Sequence, residues 1–560
     1  MGYAKSMNEL KEQIGKFFSG DIVTDHLDLE SHSHDWSIFK VMPQMVVYPR
    51  TARDIKELVS FVEKKKLTKK WSDLSLTVRA AGTDMGGGPL NTSVIVDTTR
   101  YMHGIVRISE TEVTVLPGTY FRDLEVKLNE LGVMLPCYPA SKDLCAVGGM
   151  VANNGGGEKT LKYGQNKDWV IQLKVVLADG EEYVIEPLSK DKADARALEH
   201  NLAGEMYKKM WHMVTRNRDV LENGKPSVEK NSAGYLVWDI WNRETGIFDL
   251  TKLFVGAQGT TGIITEITYK LILIPKVSRL MVSFVKTLDA LPEFVSRIAP
   301  TKPESLEVYD DATFLFAKKF FKDFVKNKGW WGTIMFGLRF VPEIIITAFT
   351  GIPKMVVLTE YTGETEKEVS IQMKDACSKL RWVRGIYTRR IRSKEEAEKY
   401  WQIRHDSFKL LTEHSMDKSH NSRTAPFIDD IVINPQDLAV FIPRLKKLLD
   451  EYKLFYTIAG HIGDGNLHVI PIMDFDEPQT RKTILELMPK VYELIAEFRG
   501  SNTGEHNDGI IRTPYLRYMF STEMLEIFKE IKEMADPLRI FNPGKKVGGT
   551  VEDIERFMVS

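Results

Sequence analysis

The residues with chemical potential in this chain are concentrated in two short segments. Residues 460–468 read Gly-His-Ile-Gly-Asp-Gly-Asn-Leu-His, and Gly504-Glu505-His506 follows further on. Apolar runs at 454–458 and 469–472 flank the first segment and read as buried strands. An odd spacing along one straight strand would send His461 and His468 to opposite faces, whereas a turn between two strands lets them converge. With Glu505 they would supply two imidazoles and a carboxylate, the donor set of an open divalent-metal site. His506 could then serve as a base, since imidazole exchanges protons near neutral pH. The same residues would also suit a glycine-rich hairpin whose histidines are hydrogen-bonded within a core.

The rest of the 560-residue chain must supply elements that position this set. Hydrophobic residues make up 43% and charged residues 27%, as in ordinary globular proteins. A formal net charge of -1 provides no global field toward nucleic acid or an acidic substrate. Cys137, Cys145 and Cys377 form no ligand-spaced cluster, which argues against an iron–sulfur centre and a disulfide scaffold. The N-terminus lacks the apolar core of a signal peptide, and Gly2 is a weak match to a lipidation start. Apolar runs are too short for a simple membrane span, so a cytoplasmic location is expected.

In the N-terminal half, Ile55, Leu58, Val59 and Val62 predict an amphipathic helix over 54–67. Phe121, Leu124, Leu128 and Leu131 predict a second helix, stopped by Gly132. Residues 169–178 and 183–186 read as strands about an Asp179-Gly180 turn. Three glycine-dense elements lie among these. The first, 81–88, sits between strand-like runs at 76–80 and 93–97. Glycines there let backbone N–H groups approach a phosphate, although the loop is not the G-x-G-x-x-G fingerprint. The second runs from Pro136 through Ser141, Gly148, Gly149 and 153–157 to Tyr163-Gly164, and the third spans 256–266.

In this order and spacing the three elements resemble the flavin-binding half of the vanillyl-alcohol oxidase/p-cresol methylhydroxylase family. The resemblance implies an α+β fold: a two-subdomain FAD-binding domain at 1–275, completed by 540–560, plus an α+β substrate domain with an antiparallel sheet at 276–539. It implies that Arg79, Ala81, Gly82, Thr83, Asp84, Met85, Gly86 and Gly87 surround the FAD pyrophosphate. Ser141, Gly148, Gly149, Asn153, Asn154, Gly155 and Gly156, with Tyr163 and Gly164, would line the isoalloxazine and ribityl region. Gly259, Thr260, Gly262, Ile263 and Ile264 would close the adenine side, with Asn542 completing the set. His103 and Cys137 are out of position for a covalent link, so dissociable FAD is expected. Lys230-Asn-Ser-Ala-Gly-Tyr235 also matches a segment of this family.

The C-terminal half is similar to the corresponding domain of FAD-linked D-lactate, glycolate and D-2-hydroxyglutarate dehydrogenases. The similarity rests on Trp401-Gln-Ile-Arg404-His405, Asp429-Asp430, the complete 460–468 and 504–506 motifs, and Phe541-Asn542-Pro543-Gly544-Lys545. It implies a divalent metal, zinc by expectation, on His461, His468 and Glu505. It also implies substrate contact from Asn466, a carboxylate anchor at Arg404 and a base at His506. The implied reaction oxidises a D-2-hydroxy acid to the 2-oxo acid by metal-assisted proton abstraction and hydride transfer to flavin N5. Two departures stand out: Ile428 replaces a substrate-binding lysine of the hydroxyglutarate enzymes, and Asn507 replaces a glycine. Either Arg423 restores the lost charge or the substrate is monocarboxylic.

Residues 314–353 carry Phe316, Phe320 and Phe324 beside Lys318, Lys319 and Lys322, then Trp330-Trp331. This composition suits a helix at a membrane surface, with a quinone or another redox protein as electron acceptor, or else a helical pair covering the second domain. Two other readings share the architecture: an alkylglycerone-phosphate synthase-like flavoenzyme, and a membrane-docked flavin electron-transfer subunit.

Overall fold

The computed structural model describes residues 2–311, 313, 351–415 and 422–559. Three sheets carry the architecture. A four-stranded sheet orders Asp21–Val23, Met45–Tyr48, Val94–Asp97 and Leu76–Arg79, the last three running parallel. The first glycine element therefore bridges two parallel neighbours, Leu76–Arg79 and Val94–Asp97. The helix Ala52–Lys66 covers this sheet, burying the predicted Ile55, Leu58, Val59 and Val62. Each fully buried aliphatic side chain contributes roughly 1.5–3 kcal/mol of transfer free energy.

A five-stranded antiparallel sheet orders Ile105–Ile108, Glu112–Val115, Ile263–Lys270, Val170–Val176 and Glu182–Ile185. The predicted Asp179-Gly180 turn closes its last hairpin, where Val176 pairs with Glu182. Helices Phe121–Glu130, Leu202–Arg216 and Thr522–Ala535 share its core. The third glycine element enters this sheet at Ile263.

The third sheet is antiparallel and holds the histidine motif. Its path runs Ile386–Arg390, Val277–Val285, Met355–Gly363, Ser305–Asp310, Phe455–His461, Asn466–Asp474 and Ser422–Thr424, with Ile431–Val432 also paired to Asn466–Asp474. Its inner face is buried beneath helices Leu291–Ile298, Glu366–Leu380, Leu438–Glu451 and Pro478–Glu497. Across the other face lies Lys394–Ser415, which packs Tyr400 against Leu280, Tyr309 and Leu358. The chain's end returns to the first sheet as expected. Phe541 bridges Leu76, and Asn542 Nδ2 donates to Gly88 O at 3.0 Å and Gln258 O at 2.7 Å. Most of the proposed membrane-surface element, 314–350, lies outside the described residues. No described helix is long and apolar enough to cross a membrane.

Candidate active site

Strand register brings the histidines together. His461 ends the strand Phe455–His461 and pairs with Asn466; Ala459 pairs with His468. Ala459 and His461 share a face because side chains alternate, so His468 joins His461 on that face. Their ring centroids are 5.2 Å apart. Glu307 pairs with His461 across the next strand boundary and lies on the same face. His506 arrives from the loop after the 504–505 pair and stacks on His468, also at 5.2 Å.

Each imidazole has its two nitrogens differently employed. His461 Nδ1 contacts Glu307 Oε1 at 2.5 Å, His468 Nδ1 contacts Asp429 Oδ1 at 3.1 Å, and His506 Nδ1 lies 2.8 Å from Asp429 Oδ2. The Nε2 atoms converge instead on Glu505 Oε1, at 3.4, 3.3 and 3.8 Å from His461, His468 and His506. At His461 and His468 the carboxylate hydrogen-bonded to Nδ1 favours the tautomer with Nε2 free to ligate, whereas His506 Nδ1 is close to Asp429 without a hydrogen bond. His461 Nε2 is buried and has no hydrogen-bond partner. The ligating atoms of His461, His468 and Glu505 lie within 4.8 Å of one another, so the residues fit a bound cation; Asp429, His468 and His506 form a second such group.

In the absence of a cation the same acids favour protons on the imidazoles, which a metal would displace on binding. Burial disfavours charge on His468, yet Asp429 and Glu505 outweigh it and push the imidazole up to about 10. Burial acts the same way on His506, while Asp430 and Asp429 raise it. Against burial, Lys230 and His461 hold Glu505 well below the carboxylate range, and His461 and Arg404 hold Glu307 at about 2. The site thus attracts positive charge to its imidazoles.

One cavity of about 530 Å³ is lined by both this cluster and the glycine elements. Ala81, Gly82, Thr83, Asp84 and Met85 line it, as do Ser141, Gly148, Gly149, Asn153, Gly155, Gly259, Gly262 and Ile264. So many residues without bulk bring main chain to the cavity surface, as a dinucleotide requires. Gly82 adopts φ +71, a left-handed conformation that glycine takes without strain. Asp84 adds a negative charge to this wall, but Oδ1 accepts from Gly86 and Gly88 N and Oδ2 from Asn153 Nδ2. The lining fits FAD.

Several predicted residues support the cavity without lining it. Arg79 donates to His34 O at 2.7 Å, and Asn154 caps the Val147–Asn153 helix in a left-handed conformation. Tyr163 OH turns to Glu304 Oε2 at 3.1 Å, and Gly164 packs toward Asp168. Gly86, Gly87, Gly156, Thr260, Ile263 and Asn542 are likewise in the surrounding shell. Asn466, expected to touch substrate, is fully buried and off the cavity. Its Nδ2 donates to Asp430 Oδ1 at 2.9 Å and its Oδ1 accepts from Lys230 at 2.8 Å. Arg404 does line the cavity, with Nη2 3.0 Å from Glu307 Oε2. Arg423 does not restore the charge lost at position 428. It pairs with Met473, on the face opposite His468, and packs over Phe475 at 4.4 Å. Ile428 is fully buried in the core beneath the sheet.

Sequence reasoning missed Glu307 and gave Asp429, Asp430 and Lys230 no role in the site. The available signal was two adjacent acids within the apolar run 427–433, where buried carboxylates persist only with partners. Asp430, at φ 69, accepts from Thr503 Oγ1 at 2.6 Å, Glu505 N at 2.8 Å and His506 N at 2.7 Å, and so shapes the Gly504–His506 turn.

Fold and cavity together define a flavin-binding oxidoreductase with a buried histidine–carboxylate cluster facing the flavin pocket. Residues 43–186 match the FAD binding domain and residues 274–546 match the FAD linked oxidases, C-terminal domain. The chain belongs to the FAD-linked oxidases. It is 26% identical over 96% of its length to D-2-hydroxyglutarate dehydrogenase of Escherichia coli, covering 51% of that protein. It is 25% identical over 97% of its length to the mitochondrial D-lactate dehydrogenase [cytochrome] of Arabidopsis thaliana, covering 81% of it. The chain therefore spans about half the length of the first of these relatives. Its fold is similar to that of p-cresol methylhydroxylase with substrate bound (TM-score 0.66, 15% identity, covering 97% of this chain and 96% of that one).

Proposed function

We propose that the chain oxidises a D-2-hydroxy acid with a single carboxylate, D-lactate or a close analogue, to the 2-oxo acid, with dissociable FAD as acceptor. The observation that carries this reading is the shared cavity, whose lining includes both the glycine elements and His461, His468, Glu505 and His506. Relatives named for D-lactate and D-2-hydroxyglutarate support the substrate class. We assign 1–275 with 540–560 to FAD and 276–539 to substrate and metal.

His461, His468 and Glu505 would hold a divalent cation, zinc by expectation. When bound, FAD supplies the acceptor for the C2 hydride and the cation a Lewis acid for the substrate hydroxyl. The chain's own residues do the rest. Arg404, steadied by Glu307, holds the substrate carboxylate in the cavity. His506 takes the hydroxyl proton at Nε2, and Asp429 opposite Nδ1 stabilises the imidazolium. Thr457, Ala459 and Ile470 also line the cavity and present no charge to it. Among the described lining residues the arginine and lysine side chains are Arg404 and Lys142, and Lys142 pairs with Glu125 at 2.8 Å. A second carboxylate therefore lacks a described partner.

Anaerobic mixing of the flavin-loaded protein with D-lactate, L-lactate and D-2-hydroxyglutarate tests this. D-lactate should bleach the flavin, the L-enantiomer should not, and D-2-hydroxyglutarate should be slower. Flavin left oxidised by every 2-hydroxy acid would overturn the assignment. Faster reduction by D-2-hydroxyglutarate would overturn the single-carboxylate part.

A further inference from the structure

Lys230 takes no part in the steps above, yet it is among the most enclosed cations of the chain, with a side chain 1% exposed. A lysine is retained at such a depth only with partners that compensate its charge. It has two. Nζ donates to Asn466 Oδ1 at 2.8 Å and lies 2.9 Å from Glu505 Oε2 in an ion pair. The amide of Asn466 is fixed in turn, because its Nδ2 donates to Asp430 Oδ1 at 2.9 Å and Ile431 O at 3.2 Å. Asp430 also grips the backbone N–H of Glu505. Glu505 is thus engaged at both ends, by a hydrogen bond from its main chain to Asp430 and by the charge of Lys230, without a hydrogen bond, at one carboxylate oxygen. Only Oε1 remains among the imidazoles. Gly156 closes the Lys230 side: a Cβ there would sit 3.3 Å from Lys230 Cε and 3.4 Å from Glu505 Oε2.

A carboxylate that reaches a cation through both oxygens fills two coordination positions, whereas one oxygen leaves a position for substrate. We propose that Lys230 is a positioning residue that confines Glu505 to one-oxygen ligation, and so keeps a coordination position open for the substrate hydroxyl. Asn466 acts through Lys230 rather than on the substrate. The inference rests on the reading that His461, His468 and Glu505 hold a cation.

The test uses flavin-loaded protein reconstituted with Co²⁺, whose visible d–d bands weaken as coordination number rises. In Lys230→Met, Oε2 is released to the metal. The bands should weaken, and Co²⁺ should bind about tenfold tighter in chelator competition, because a nearby positive charge is gone. Turnover should fall about tenfold or more. Lys230→Arg should restore the wild-type spectrum. Wild-type spectrum and affinity in Lys230→Met, or weaker binding, would overturn the proposal. X-ray absorption of zinc-loaded wild type decides independently of any variant's folding: a single-oxygen carboxylate supports the proposal and a chelating one overturns it. Wild-type protein that takes up neither ion overturns the metal reading, and this inference with it. Uptake with an unaltered Lys230→Met overturns the lysine's role alone.

Discussion

Glu307→Gln isolates the charge behind His461, a proposed ligand. Glu307 is 2% exposed at its side chain and bridges His461 Nδ1 at 2.5 Å and Arg404 Nη2 at 3.0 Å. Gln preserves the shape but offers one acceptor where two are used. With its oxygen toward Arg404, its NH2 faces His461 Nδ1, which must then accept. The ring proton moves to Nε2, the nitrogen needed for ligation. Loss of such a partner weakens metal binding or activity by about 10–100-fold, or about 1.4–2.8 kcal/mol. Chelator competition on flavin-loaded protein measures this directly. Flavin content should persist, because the contacts of Glu307 are with His461 and Arg404 rather than with the glycine elements. A second readout follows from protonation. Glu307 sits at about 2 rather than 4.5, despite burial, because of His461 and Arg404. A lowered carboxyl contributes stability that is present above about pH 4.5 and lost as pH falls toward 2. The gap in Tm between wild type and Glu307→Gln should therefore narrow over that window. Unchanged metal affinity with intact flavin would refute the role assigned to Glu307, and a constant gap would refute the charge argument.

Three further outcomes are expected. His506→Gln should lower kcat by about 10²–10⁴-fold with metal content retained, checked by rapid flavin reduction and metal analysis. Asn507 holds φ 66, and its Nδ2 donates to Asn153 O at 3.1 Å and Gly256 O at 2.9 Å. Asn507→Ala should cost about 1–3 kcal/mol and Asn507→Gly less, since glycine keeps the left-handed backbone; denaturant titration compares them. Burial and the neighbouring Glu304 raise Glu360 to about 7. A raised carboxyl stabilises while protonated and penalises the fold as pH climbs from about 4.5 through 7. Glu360→Gln should therefore raise Tm more at pH 8 than at pH 5.

The convergence of the two motif histidines was legible because its information is local. Two apolar runs around a glycine turn specify a hairpin, and hairpin register settles which side chains share a face. The glycine elements were legible for a related reason, since a wall without side chains requires residues that have none. The carboxylates behind the histidines were not legible. Glu307 pairs with His461 only because the strand Ser305–Asp310 lies beside Phe455–His461, and sequence spacing carries no trace of that adjacency. Asp429 faces two histidines across a loop for the same reason.

The readings of Asn466 and Arg423 show where residue type misleads. An amide within a metal motif invites assignment to substrate, yet sequence cannot show whether its donors and acceptor are already satisfied. Here Asp430, Ile431 and Lys230 take them all, and Asn466 is fully buried. Arg423 fails on parity instead. It pairs with Met473 while Thr424 pairs with Ile472, so Thr424 is the residue that shares the face of His468. One register step separates an arginine that could meet a second substrate carboxylate from one stacked on Phe475. The absence of lysine at 428 therefore acts uncompensated among the described residues. It favours a hydroxy acid whose only carboxylate is the one beside the reacting carbon.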